Sequence, residues 1–233
     1  MDASLLLRLV PSVALAIVVA RFAAPAGHRP WSSAVDEVLR VLMVALVAGR
    51  VAWLLLGGPD VWRNIPSTII LVRAGVLTGA GVLVAAWWVG RRNDEDRRWR
   101  RVVAVPSALA GAGLWQGLCQ IEGVCGGVPV SWGLHLPGRA VASFPASYVE
   151  ALLALALAGA ATWAVRRGRV PIAWLAGATY ALVRVLLGFA RPALVDHPTS
   201  DQIWFVVVAI ACVLVARSMR TTQADPRYVE VVT

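Results

Sequence analysis

The chain has 233 residues, 59% of them hydrophobic, with a mean hydropathy of +0.70; this excludes a soluble globular domain and points to an integral membrane protein. Its net charge of +9 rests on arginine alone, there being no lysine, and the arginines fall in short loops between apolar runs, which argues against a nucleic-acid partner and fits the charge bias of membrane-protein loops. Three cysteines, Cys119, Cys125 and Cys212, are too few and too irregularly spaced for a disulfide framework or a zinc site, and neither a metal nor another cofactor is expected.

The first apolar run, about Leu5 to Ala24, precedes Ala24-Pro25-Ala26, a cleavage-like sequence. The start MDASLLLR lacks the basic region that a signal peptide carries before its apolar core, so the run reads as a retained span. The second run, about Val35 to Leu56, carries Arg50 near its end and is broken by Gly57-Gly58-Pro59-Asp60. The third, about Ser67 to Val89, has Arg73 near its start. A charged loop with six arginines follows, from Arg91 to Arg101. The fourth run, about Val102 to Cys119, is short and rich in Gly and Ala, as suits a closely packed helix. Gln120 to Ser143 is too polar to span and reads as a partly buried loop. The fifth run is about Pro145 to Val165, the sixth about Val170 to Phe189 and the seventh about Ile203 to Ala216. The expectation is an all-α membrane protein of seven transmembrane helices, with residues 1–216 as one membrane domain and 217–233 as a solvated tail.

The arginines orient it. Arg29, the six from Arg91 to Arg101, Arg166, Arg167, Arg169, Arg217, Arg220 and Arg227 belong to one set of loops; the opposite set has only Arg63, Arg139 and Arg191. Cytoplasmic loops carry the excess, which places the N-terminus outside and the C-terminus in the cytoplasm in a multi-pass membrane protein.

Depth can then be counted. Arg50, Arg73, Glu150 and Arg184 each lie about five or six residues from the outer end of a different span, roughly 8–9 Å below the rim at 1.5 Å per residue. A charge at bilayer depth is unfavourable by about 2.5–3.5 kcal/mol on insertion scales, so such residues face a protein interior or pair with one another. An arginine near a helix end that snorkels to the headgroups is the alternative, as is a set of purely structural ion pairs. Three arginines with one glutamate favour an anion, and the guanidinium fork suits phosphate. Tyr180 and Arg184, four apart, share one helix face.

The motifs resemble those of the prolipoprotein diacylglyceryl transferase family from the second span onward. Gly49-Arg50-Val51-Ala52-Trp53 resembles the family's A-R-L-G-Y, and Gly75, Leu77 and Gly79 fall where its H-G-G-L-L-G lies. Cys119 to Gly127, with Pro129, Trp132-Gly133 and Pro137, resembles its signature loop. Phe144-Pro145 with Glu150-Ala151 resembles H-P-S-Q-L-Y-E-A. Tyr180, Arg184, Phe189 and Arg191 resemble Y-G-x-x-R-F-x-x-E-F-x-R, and Thr199 with Gln202 resembles L-T-x-G-Q.

The resemblance implies transfer of a diacylglyceryl group from phosphatidylglycerol to the signal-peptide cysteine of a lipoprotein precursor. In that reading Arg50 and Arg184 hold the headgroup, Tyr180 steadies Arg184 and Glu150 orients the cluster; Arg73, Gln116 and Gln202 complete the lipid site. The chain departs from the family pattern at Ala74, Gln116, Phe144 and Gly188, where the family has His, Arg, His and Glu. Glu122, in the signature loop, is the acid left to act as a base near the outer face. A non-catalytic relative that binds an anionic phospholipid or assists another membrane enzyme is the second reading. A small transporter is the third, and it lacks the paired midplane helix breaks such proteins show.

Overall fold

The computed structural model describes residues 3–24, 31–56, 78–91, 95–121, 125, 127–135, 141–190 and 200–223. Its elements are α1 (Ala3–Ala23), α2 (Trp31–Leu56), α3 (Thr78–Arg91), α4 (Glu95–Ile121), β1 (Pro129–Leu134), α5 (Ala146–Arg166), α6 (Val170–Gly188) and α7 (Ser200–Gln223). Among the described residues, six helices, α1, α2, α4, α5, α6 and α7, are long and apolar enough to cross a membrane, and α3 is a shorter apolar helix. Where the third run was expected, the structure describes only its second half; Arg73 lies outside the described residues. The run expected to end at Ala216 continues as α7 to Gln223.

α4 is the hub, packed on α1 and α5 and also against α6, α3 and α2, while α7 joins α6 to α3. The contacts are built from small side chains. Ala20, Ala110, Ala154, Ala161, Ala173 and Ala181 are buried in one core, whereas Met43, Leu152, Leu186 and Leu214 point outward. Between helices in lipid the hydrophobic effect offers little, so close backbone approach and dispersion hold the bundle together. Two glycines mark close approaches between neighbouring helices. A Cβ on Gly81 would fall 2.1 Å from the Ala45 carbonyl oxygen, and one on Gly113 would fall 2.9 Å from Leu155.

The charged loop expected from Arg91 to Arg101 is corrected: α4 starts at Glu95, a turn or more before the apolar run. Arg100 is 2% exposed, its Nε lies 2.6 Å from Glu37 Oε1 of α2, and its guanidinium sits over the Trp88 ring of α3 at 4.9 Å. Trp174 of α6 donates its indole N–H to the Arg101 carbonyl at 3.1 Å. Pairing and stacking let these arginines enter the bundle, so a run of charges did not mark a loop. At this arginine-rich end lie the starts of α2, α4 and α6 and the ends of α3 and α5.

The opposite end carries a short ribbon. The segment expected to be a plain loop contains β1, whose residues 129 and 134 both bridge to Ser143. Phe144 N–H donates to Val128 O at 2.9 Å, and Val128 N–H donates to Ala190 O at 2.9 Å, tying the ribbon to the end of α6. A disulfide joins Cys119 to Cys125, a single bridge that the cysteine count did not point to. The chain leaves α4 and doubles back within six residues, which brings together two thiols that spacing statistics had left unpaired. Ser147 Oγ donates to the Cys125 carbonyl at 3.1 Å, and Arg8 of α1 reaches Cys119 Sγ at 3.4 Å. Cys212 is a buried free thiol in α7.

Candidate functional site

The polar centre lies where α5 meets α6. The buried face of α5 reads Ser147, Glu150, Ala151, Ala154, Ala158 and Ala161, the i, i+3, i+4 spacing that puts one stripe of a helix inward. Glu150 therefore belongs to the core face, and it is fully buried. Across from it, Tyr180 and Arg184 stand one turn apart on α6. Tyr180 donates its hydroxyl to Glu150 Oε1 at 2.8 Å, and Arg184 makes a salt bridge to the same oxygen. The Arg184 guanidinium also sits over the Phe205 ring of α7, 5.0 Å from its centroid.

A lone buried carboxylate would be strongly unfavourable; here an arginine matches its charge and a phenol adds a second donor. Both donors converge on one oxygen, which holds the carboxylate in place. Arg184 keeps 15% side-chain exposure, and a guanidinium has five N–H donors, so it can hold Glu150 and still present donors to an anion. Bidentate contact to phosphate needs that kind of fixed, planar fork.

Gln202 of α7 is buried and donates through Nε2 to the Val185 carbonyl at 3.1 Å. A Cβ on Gly188 would fall 2.4 Å from that Nε2; Gln202 thus fills the space beside Gly188. Gln116 is buried on α4. Its face is set by Val105, three turns earlier, which packs against Gly177 of α6. Arg50 is buried on α2, its guanidinium 4.8 Å from the Trp53 ring centroid. Arg73 and Glu122 lie outside the described residues, as does His197. His135 is exposed and lines a shallow cavity of about 400 Å³ on the ribbon. Phe144 meets Trp132 edge to face at 5.7 Å.

The structure thus brings Glu150, Tyr180 and Arg184 into contact and places Gln116 and Gln202 as buried amides on the neighbouring helices α4 and α7. Arg50 is buried on α2, which packs mainly on α3 and also touches α4. Sequence reasoning missed Gln120, fully buried one turn beyond Gln116; the i, i+4 amide pair at the end of an apolar run was the available signal. It also missed the Glu37–Arg100 pair, whose partners stand far apart in sequence on α2 and α4. No protein-family model, curated protein or solved structure matches the chain.

Proposed function

We propose that the chain is a divergent diacylglyceryl transferase of a bacterial cytoplasmic membrane, taking an anionic, phosphatidylglycerol-like lipid as donor and a lipoprotein precursor as acceptor. In this reading α3 and the run before it form a seventh span. The ribbon end faces outward and the arginine-rich end faces the cytoplasm, by the excess of arginine in cytoplasmic loops. The Cys119–Cys125 disulfide at the ribbon end suits an oxidising compartment.

The observation that carries the reading is the buried constellation of Glu150, Tyr180 and Arg184, which occupies the positions that the resemblance assigns to headgroup binding. Arg184 grips the phosphate while Glu150 and Tyr180 hold its plane. The acceptor sulfur forms a bond to the glyceryl carbon, the carbon–oxygen bond to phosphate breaks, and glycerol phosphate leaves with the electron pair. Arg184 stabilises the charge that gathers on the leaving group, an interaction that strengthens in the transition state. The thiol proton passes to a base, for which Glu122 is the candidate, since a cysteine otherwise titrates near 8.5.

The test is transfer of labelled phosphatidylglycerol to a lipobox peptide by the purified protein in liposomes, with complementation of a strain depleted of its own transferase alongside. Arg184→Ala should lower transfer by a factor on the order of 10², and Arg184→Lys, which keeps charge but loses the fork, should restore only part of it. A wild-type protein without transfer in either assay overturns the catalytic reading. The second reading, a lipid-binding relative, is favoured by two observations: Phe144 is engaged by Trp132, and Gln202 fills the space beside Gly188, so neither position offers a base.

A further inference from the structure

Gln120 stands in the last turn of α4 and is fully buried, and both ends of its amide, Oε1 and Nε2, lack a hydrogen-bond partner among the described residues. A buried amide with neither end satisfied is rare, and each such group calls for a physical account. Its surroundings follow from helix register. The α4 stripe that packs on α6 at Val105 continues outward through Leu109 and Gln116 to Gln120 at i+4 and i+7 spacing. On the adjoining stripe, Gly117 packs against Ala151 of α5. Gln120 therefore occupies the notch between α5 and α6, on the same side as Glu150 and Arg184. Three residues beyond Gly117, it lies about 4–5 Å closer to the ribbon end, at the level of Ser147.

We infer that Gln120 is the headgroup-selecting residue of this site, reading an uncharged, hydroxyl-bearing group attached to the phosphate that Arg184 holds; the inference rests on the lipid-site reading proposed above. The depth order requires it. In an outer-leaflet lipid the acyl chains lie deepest, the phosphate next and the headgroup outermost, so a residue outward of the Glu150–Arg184 pair meets the headgroup. The chemistry selects which one. A carboxamide has two donors and two acceptor lone pairs, which match hydroxyls that both donate and accept. An ammonium headgroup only donates and would leave the Gln120 N–H groups unpaired; a quaternary ammonium would satisfy neither end.

The experiment uses the full chain in detergent micelles and native mass spectrometry with equimolar phosphatidylglycerol and phosphatidic acid, at a pH below the second ionisation of the phosphomonoester, so that both carry one negative charge and differ by the glycerol group. Wild type should retain phosphatidylglycerol over phosphatidic acid by roughly tenfold, the worth of one or two net hydrogen bonds. Gln120→Leu, similar in volume, should bind phosphatidic acid as before while the preference falls to about one. Arg184→Gln should weaken both lipids together. Gln120→Leu should also match or exceed wild-type thermal stability without lipid, because it removes an unsatisfied amide, so a loss of preference will not reflect misfolding. An unchanged preference in Gln120→Leu overturns the inference and leaves Gln120 as a group satisfied by internal water only. Wild type that binds neither lipid removes the lipid site itself, a failure distinct from the first.

Discussion

Replacing Glu150 with alanine should destabilise the bundle severely. The carboxylate is fully buried, receives the Tyr180 hydroxyl at 2.8 Å and carries the salt bridge to Arg184, whose side chain is itself only 15% exposed. Removing one partner of a buried pair leaves an uncompensated charge, typically about 3–5 kcal/mol. Tyr180→Phe removes one hydrogen bond to a charged acceptor, about 1.5–3 kcal/mol. The double substitution Glu150→Leu with Arg184→Met removes both charges and should recover most of the loss, because apolar replacement of a complete buried pair is often close to neutral. Reversible unfolding in mixed micelles by SDS titration gives each free energy, and the four corners of the Glu150/Arg184 cycle give the coupling. A Glu150→Ala protein within about 0.5 kcal/mol of wild type, the range usual for surface substitutions, would refute the reasoning. So would additive single effects, which would mean that the pair is not coupled. The same double variant should be inactive in lipid transfer while remaining folded, which separates the stabilising role of the pair from its proposed role at the phosphate.

A reporter fused after Gln223 should be active only in the cytoplasm and one inserted in the ribbon at Ser131 only outside; the reverse pattern would sink the orientation and the depth order with it. Unreduced, denatured protein should take up one maleimide, at Cys212, and three after reduction, while Cys119→Ser with Cys125→Ser should lower stability by about 2 kcal/mol for so short a loop; three labels without reductant would refute the pairing. Gly81→Ala places a Cβ against a backbone carbonyl that cannot turn aside, so it should destabilise by about 1–3 kcal/mol in the same SDS titration. Gly188→Ala meets only the end of the Gln202 side chain and should be milder, with the Gln202 contact to Val185 displaced; equal costs for the two glycines would count against the packing argument.

The helices were legible because apolar run length is a strong signal in a chain that must satisfy its backbone in lipid. Glu150, Tyr180 and Arg184 were legible for a related reason: a charge inside such a run must find a partner, and counting residues from span ends put Glu150 and Arg184 at one depth. The same logic applied to Arg50 gave its burial, but residue depth says nothing about which way around the bundle a helix faces. That angular information comes from small-residue contacts such as Gly81 on Ala45 and Gly117 on Ala151, which a single sequence does not disclose. Arg100 was misread for the opposite reason. A cluster of arginines looks solvated until one of them finds a carboxylate and an aromatic face on other helices, here Glu37 and Trp88. Gln120 joins both lessons. It is uncharged, so depth counting passed over it, and its place between α5 and α6 follows only from helix register. Residues of this kind, neutral and buried beside a charged cluster, set what a site accepts, because they decide which partner of the anion can be desolvated without leaving a donor or acceptor unmet.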